Sequence, residues 1–111
     1  MKKILLFLFL FSLALFEALT AAPQGEQIFN TKCALCHTMG GGKKIGPDLK
    51  GVTKKRTKEW MRKMIKDPMN FVKTDPEAKK IFEEYKKMPM VVAPPLTDAE
   101  IDAVIKYLEK K

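Results

Sequence analysis

The chain's two cysteines and its single histidine fall within five consecutive residues, Cys33-Ala34-Leu35-Cys36-His37. Three ligating side chains are too few for a closed structural zinc site, which takes four. A Cys33–Cys36 disulfide would close a very small loop and constrain little of the unfolded chain. A thioredoxin-like Cys-x-x-Cys needs strands alternating with helices around it, and no segment of this sequence reads as a strand. The pair therefore needs another reason to exist.

Chain length sharpens that requirement. Lys2 and Lys3 precede thirteen residues, Ile4 to Phe16, that are apolar except for Ser12, and small residues follow at Ala18, Thr20, Ala21 and Ala22. A basic start, an apolar centre and a small-residue end are the three parts of a secretory signal peptide. The apolar run falls short of the ~20 residues that span a bilayer as a helix. Residues 1–22 are thus expected to be a signal peptide cleaved near Ala21 or Ala22, with no cysteine at the site to take a lipid. Residues 23–111 remain as one domain of about 89 residues, and a chain of that size is marginal without a staple or cofactor.

The pattern along residues 23–111 is helical. Gln24 to Lys32 places Ile28 and Phe29 on one side of a short helix that runs into Cys33. Thr38 to Lys58 is rich in Gly and Lys, contains Gly40-Gly41-Gly42 and Gly46-Pro47, and reads as loop. Thr57 can cap a helix from Lys58 to about Lys66 with Trp60, Met61, Met64 and Ile65 as its apolar stripe, stopped at Asp67-Pro68. The next helix begins at Thr74 or Asp75, with Pro76 in its first turn, Glu77 placed for a capping box, and Ala78, Ile81, Phe82 and Tyr85 facing inward. Three prolines between Met88 and Pro95 exclude a regular helix there. Thr97-Asp98-Ala99-Glu100 is a full capping box, and it opens a last helix whose Ile101, Val104, Ile105 and Leu108 repeat at i, i+3, i+4 and i+7.

In this context Cys-x-x-Cys-His is the attachment signature of a c-type haem. Two thiols at this spacing can each add to one porphyrin vinyl group, and the next residue offers an imidazole to the iron. The sequence as a whole resembles the small class I c-type cytochromes. Gly25 and Phe29 precede Cys33-Ala34-Leu35-Cys36-His37, then come Gly46-Pro47-Asp48-Leu49, a Met88-Pro89-Met90 segment, and Leu96-Thr97-Asp98-Ala99-Glu100-Ile101 through Tyr107-Leu108, all in the family's order. The resemblance implies an all-α fold around one covalent haem c. In it the first and last helices cross, with Gly25 allowing close approach and Phe29 packing near Tyr107.

The resemblance also implies roles for single residues. Cys33 and Cys36 would carry the haem, and His37 would be the proximal ligand, its second ring nitrogen held by the backbone carbonyl of Pro47. Leu49 would join Pro47 in lining the cofactor. Trp60 would donate its indole N–H to a haem propionate, or simply pack in the core. Met61 and Met64 read as core, and Met39 and Met69 as loop residues outside the ligand pattern. The sixth ligand is then Met90, preceded by Pro89 and six residues before Leu96, with Met88 as the alternative. A thioether favours ferrous iron, which raises the reduction potential.

The formal charge is +8. Lys43, Lys44, Lys50, Lys54, Lys55, Arg56 and Lys58 flank the Gly-Pro segment and form a field suited to acidic partners. No basic helix with interleaved exposed aromatics supports nucleic-acid binding, and anionic membrane surface is a weaker secondary partner. The resulting expectation is a periplasmic or otherwise exported monomer, a one-electron carrier and not an enzyme, serving acidic redox proteins or membrane respiratory complexes. Two rival readings are a haem subunit of a larger periplasmic oxidoreductase, and a haem-based sensor or peroxidase with a labile Met ligand.

Overall fold

A computed structural model describes Lys3 and residues 23–111; apart from Lys3, the expected signal peptide lies outside the described residues. Within residues 23–111 six α-helices follow one another: α1 Gln24–Ile28, α2 Val52–Lys55, α3 Lys58–Lys66, α4 Pro68–Thr74, α5 Pro76–Glu84 and α6 Asp98–Glu109. A π-helical turn, Phe29–Cys33, continues α1 without a break. There is no strand among the described residues.

The crossing of α1 and α6 organises the core. At Gly25 a Cβ would lie 2.1 Å from the Ala103 carbonyl oxygen and 3.0 Å from Tyr107 Cβ, so the two backbones meet at a distance only glycine allows. One turn on, the Phe29 and Tyr107 rings stack at a tilt with centroids 5.4 Å apart. Ile28 and Phe29 pack with Val104 and Leu108 on one side of α6. Met61 of α3 packs with Ile101 and Ile105 on the other. The i, i+3, i+4, i+7 stripe of α6 is therefore buried along its whole length, sandwiched between α1 and α3.

The helix ends follow the expected chemistry, with one exchange. Thr57 accepts the Trp60 N–H at the start of α3, and Thr97 and Glu100 cap each other's backbone at the start of α6. At the start of α5, Asp75 itself is the cap and accepts the Ala78 N–H at 2.9 Å. Glu77 makes no capping box there, because with Asp75 as cap the third helical position belongs to Ala78; its carboxylate reaches Arg56 instead.

Two short helices depart from the expected loops. Pro68 ends α3 but also starts α4, because its fixed φ and missing N–H suit the first helical position; Met69 accordingly lies in a helix. Gly51, at φ 71°, turns the chain into α2, which packs on α6.

Beyond α3 the structure thins. Helix α5 packs mainly on α4, and α4 on α3 and α5. Val72 and Ala78 are the buried residues of this α4–α5 arm; Ile81, Phe82 and Tyr85 are half-buried. Lys86 and Lys87 then take left-handed backbone, φ 59° and 57°, at the helix exit where glycine is the usual residue. They lead into the irregular Met88–Pro95 stretch.

Candidate cofactor site

The π-helical turn delivers the first thiol. The Ala34 N–H bonds five residues back to the Phe29 carbonyl at 2.8 Å, which widens the helix as it ends at Cys33. Such turns recur at functional positions. The Cys36 and His37 N–H groups both return to the Cys33 carbonyl, at 3.1 and 2.9 Å, and this tight turn sets the two cysteines and the imidazole on one short bend. Cys33 and Cys36 are not joined to each other by a disulfide. Burial, with Cys36 beside it, pushes the Cys33 thiol up to about 11, so it stays protonated at neutral pH.

The 38–51 segment closes over His37 from the other side. Gly46 N–H bonds the Cys36 carbonyl at 2.7 Å, and Leu49 N–H bonds the Thr38 carbonyl at 2.9 Å. The Pro47 carbonyl lies 2.8 Å from His37 Nδ1. A carbonyl only accepts, so Nδ1 carries the hydrogen and Nε2 keeps its lone pair for a metal. Burial holds the His37 pKa below the usual histidine value, against the opposing pull of the Pro47 bond. The ring is thereby kept neutral, the form that ligates. Gly46 lies flat against the imidazole: a Cβ there would come within 2.7 Å of Cε1 and 3.0 Å of Nδ1.

Asp48 keeps this loop in shape. Its carboxylate accepts the N–H groups of Gly40, Gly42 and Lys50 at 2.7, 3.0 and 2.9 Å, and those three bonds hold its pKa below the ordinary aspartate value. Lys44 donates to the Ala34 carbonyl, and Leu49 joins Cys33 and Met39 against the Ile28–Leu108 cluster. The resemblance anticipated the Pro47 carbonyl beside His37, but sequence reasoning missed Gly46 as the wall of the imidazole and Asp48 as the organiser of the loop. A glycine run followed by an aspartate was the available signal.

The remaining expected residues separate. Met90 is half-buried, whereas Met88 is 56% exposed. Met61 is buried in the α3–α6 contact. Trp60 donates its one N–H to Asp75 Oδ2 at 3.0 Å, which leaves no second hydrogen for a propionate. Among the lysines near the Gly-Pro segment, Lys50, Lys54 and Lys55 are exposed. Lys43 pairs with Glu84 and Lys58 with Glu109, and Arg56 is half-buried over the Trp60 ring.

Two adjacent thiols, an imidazole with a fixed tautomer and an open Nε2, and a glycine wall against the ring fit a covalently held haem. Such an arrangement within an all-helical chain defines a c-type cytochrome. The sequence profile of the family described as Cytochrome c matches residues 22–111, and the chain belongs to that family, which binds haem c covalently through this motif. The fold is similar to that of a cytochrome c from Rhodothermus marinus, at 32% identity and a TM-score of 0.72, over 78% of this chain and 72% of that one. A cytochrome c domain from Pseudomonas putida is similar at 44% identity and a TM-score of 0.66, over 78% and 85% of the two chains. A cytochrome c of Cochliobolus lunatus matches at 47% identity over 38 residues, 32% of this chain and 35% of that protein. The chain thus matches about a third of the length of such curated relatives.

Proposed function

We propose that the protein is an exported one-electron carrier that holds a single haem c through Cys33 and Cys36, with His37 and Met90 as axial ligands. The haem, when bound, supplies an iron that cycles between ferric and ferrous forms. The chain's own residues attach it, orient it and exclude water. The bond between His37 Nδ1 and the Pro47 carbonyl is the observation that carries this reading, since it prepares a neutral imidazole with Nε2 free. Membership of a family whose members generally transfer electrons supports it further.

The half-buried Met90, set against the exposed Met88, favours Met90 as the thioether ligand. Were His37 and Met90 both to hold the iron, no position on it would be left for a substrate, which would favour electron carriage over catalysis. Among the described residues no helix is long and apolar enough to cross a membrane, and the pattern of residues 1–22 supports export to the periplasm or its equivalent. The exposed Lys50, Lys54 and Lys55 near the Gly-Pro loop suit acidic redox proteins or membrane complexes as partners, with rates that fall as ionic strength rises.

Substitution of the two methionines tests the reading. Met90→Ala should abolish the near-infrared sulfur-to-iron band of the ferric protein, lower the potential and let ferrous iron bind carbon monoxide; Met88→Ala should leave all three nearly unchanged. The reverse pattern would move the ligand to Met88. A wild-type protein that lacks the band and binds carbon monoxide freely would overturn the carrier reading in favour of a sensor or peroxidase.

A further inference from the structure

Trp60 stands where four elements meet. Its ring contacts Phe71 of α4 edge-on, with centroids 5.5 Å apart. The Arg56 guanidinium, just past α2, lies over the ring at 4.7 Å. Its indole N–H donates at 3.0 Å to Asp75 Oδ2, the same oxygen that accepts the Ala78 N–H and so caps α5. Arg56 reaches on to Glu77 at 3.4 Å, and Ala78, whose N–H joins this cluster, is fully buried.

The position matters because the polypeptide offers the arm few other polar ties to the core. Its far end is joined to the 38–51 loop by the Lys43–Glu84 pair, whose side chains are 68% and 48% exposed, and such pairs contribute little. The start of α5 is therefore its firm end. Helix α5 runs straight from there into the segment that carries Met88 and Met90, and a nine-residue helix transmits a tilt at its cap to its exit.

We propose that the Trp60–Asp75 hydrogen bond, backed by Arg56, is the tie that fixes the α4–α5 arm to the α3–α6 core and so holds the methionine ligand in place. Trp60 is then a positioning residue acting through Asp75, and not a propionate donor. The proposal rests on the reading of Met90 as sixth ligand.

Exogenous imidazole, titrated into the ferric holoprotein, competes with the methionine and reads how readily the segment opens. Trp60→Phe and Asp75→Ala should each raise the apparent imidazole affinity about five- to tenfold. Asp75→Asn, whose carbonyl oxygen can still accept both N–H groups, should stay within about twofold of wild type. A silent Trp60→Phe beside an active Asp75→Ala would reduce Asp75 to a helix cap and overturn the tie. A silent Asp75→Ala beside an active Trp60→Phe would restore the propionate role and overturn it as well. If wild-type protein lacks the sulfur-to-iron band, the ligand reading fails, and amide exchange of residues 76–84 in the holoprotein then decides the tie alone. Exchange about tenfold faster in both variants, with residues 101–108 unchanged, supports it; unchanged exchange overturns it.

Discussion

Helices α5 and α6 are both amphipathic and both well capped, yet only α6 finds enough polypeptide to cover its apolar face. Ile101, Val104, Ile105 and Leu108 are each at most 3% exposed, enclosed by Ile28 and Phe29 on one side and Met61 on the other. On α5, Ala78 alone is buried, and Ile81 and Phe82, with Tyr85 just past its end, remain half-open. An apolar stripe on a surface helix needs something to pack against, and a domain of this size lacks the side chains to supply it twice. The contrast divides the protein into a half that the chain completes by itself and an arm whose apolar face it leaves open, which the proposed haem at Cys33 and Cys36 would complete.

Removing that group should break the comparison most severely. In a Cys33→Ser/Cys36→Ser chain, amide exchange over residues 68–84 should reach the rate of an unstructured peptide, and any residual protection should lie between α1 and α6. Equal protection of arm and core in that haem-free chain would contradict the division. Next in size is Gly25→Val, whose Cβ would enter the Ala103 carbonyl. It forces apart the α1–α6 crossing and should cost about 3–4 kcal/mol in denaturant unfolding of the holoprotein.

Paired truncations sharpen the same contrast. Ile105→Ala, deep in the core, should cost about 3 kcal/mol. Ile81→Ala should cost about 2–3 kcal/mol in the holoprotein if the cofactor covers α5, against about 1 kcal/mol for a side chain left half-exposed. The smallest effect is expected at Asp48, whose carboxyl is held below the ordinary aspartate range by three backbone N–H groups. A depressed folded pKa means that its stabilisation is complete above the unfolded value of 3.8 and fades as pH falls through the lower folded value. Asp48→Asn should therefore flatten the acid limb of the stability curve below about pH 4, measured by circular dichroism during acid titration.

Legibility in the sequence follows the same line. Where periodicity, caps and special residues agree, as in α6 with Thr97, Glu100 and its four-residue stripe, the sequence reading and the structure coincide. Cys33, Cys36 and His37 were legible because their spacing carries chemistry, and the Pro47 carbonyl was legible only through resemblance to a family. The short helices α2 and α4 were not, because four to seven residues carry too little periodic signal and the prolines and glycines that start them also mark turns. The π-helical turn at Phe29–Cys33 has no residue signature at all. Trp60 shows the limit from another side: an indole N–H must find an acceptor, but sequence cannot say which of two carboxylates reaches it, and here Asp75, fifteen residues on, is the one.

The most direct test of the account is the intact mass of the purified, denatured protein after acid-acetone extraction, read beside its visible spectrum. The expected result is a polypeptide one haem heavier than its sequence, with the haem absorbance retained on the chain and no thiol left to alkylate at Cys33 or Cys36. A colourless polypeptide of unmodified mass, with both cysteines open to alkylation, would contradict it.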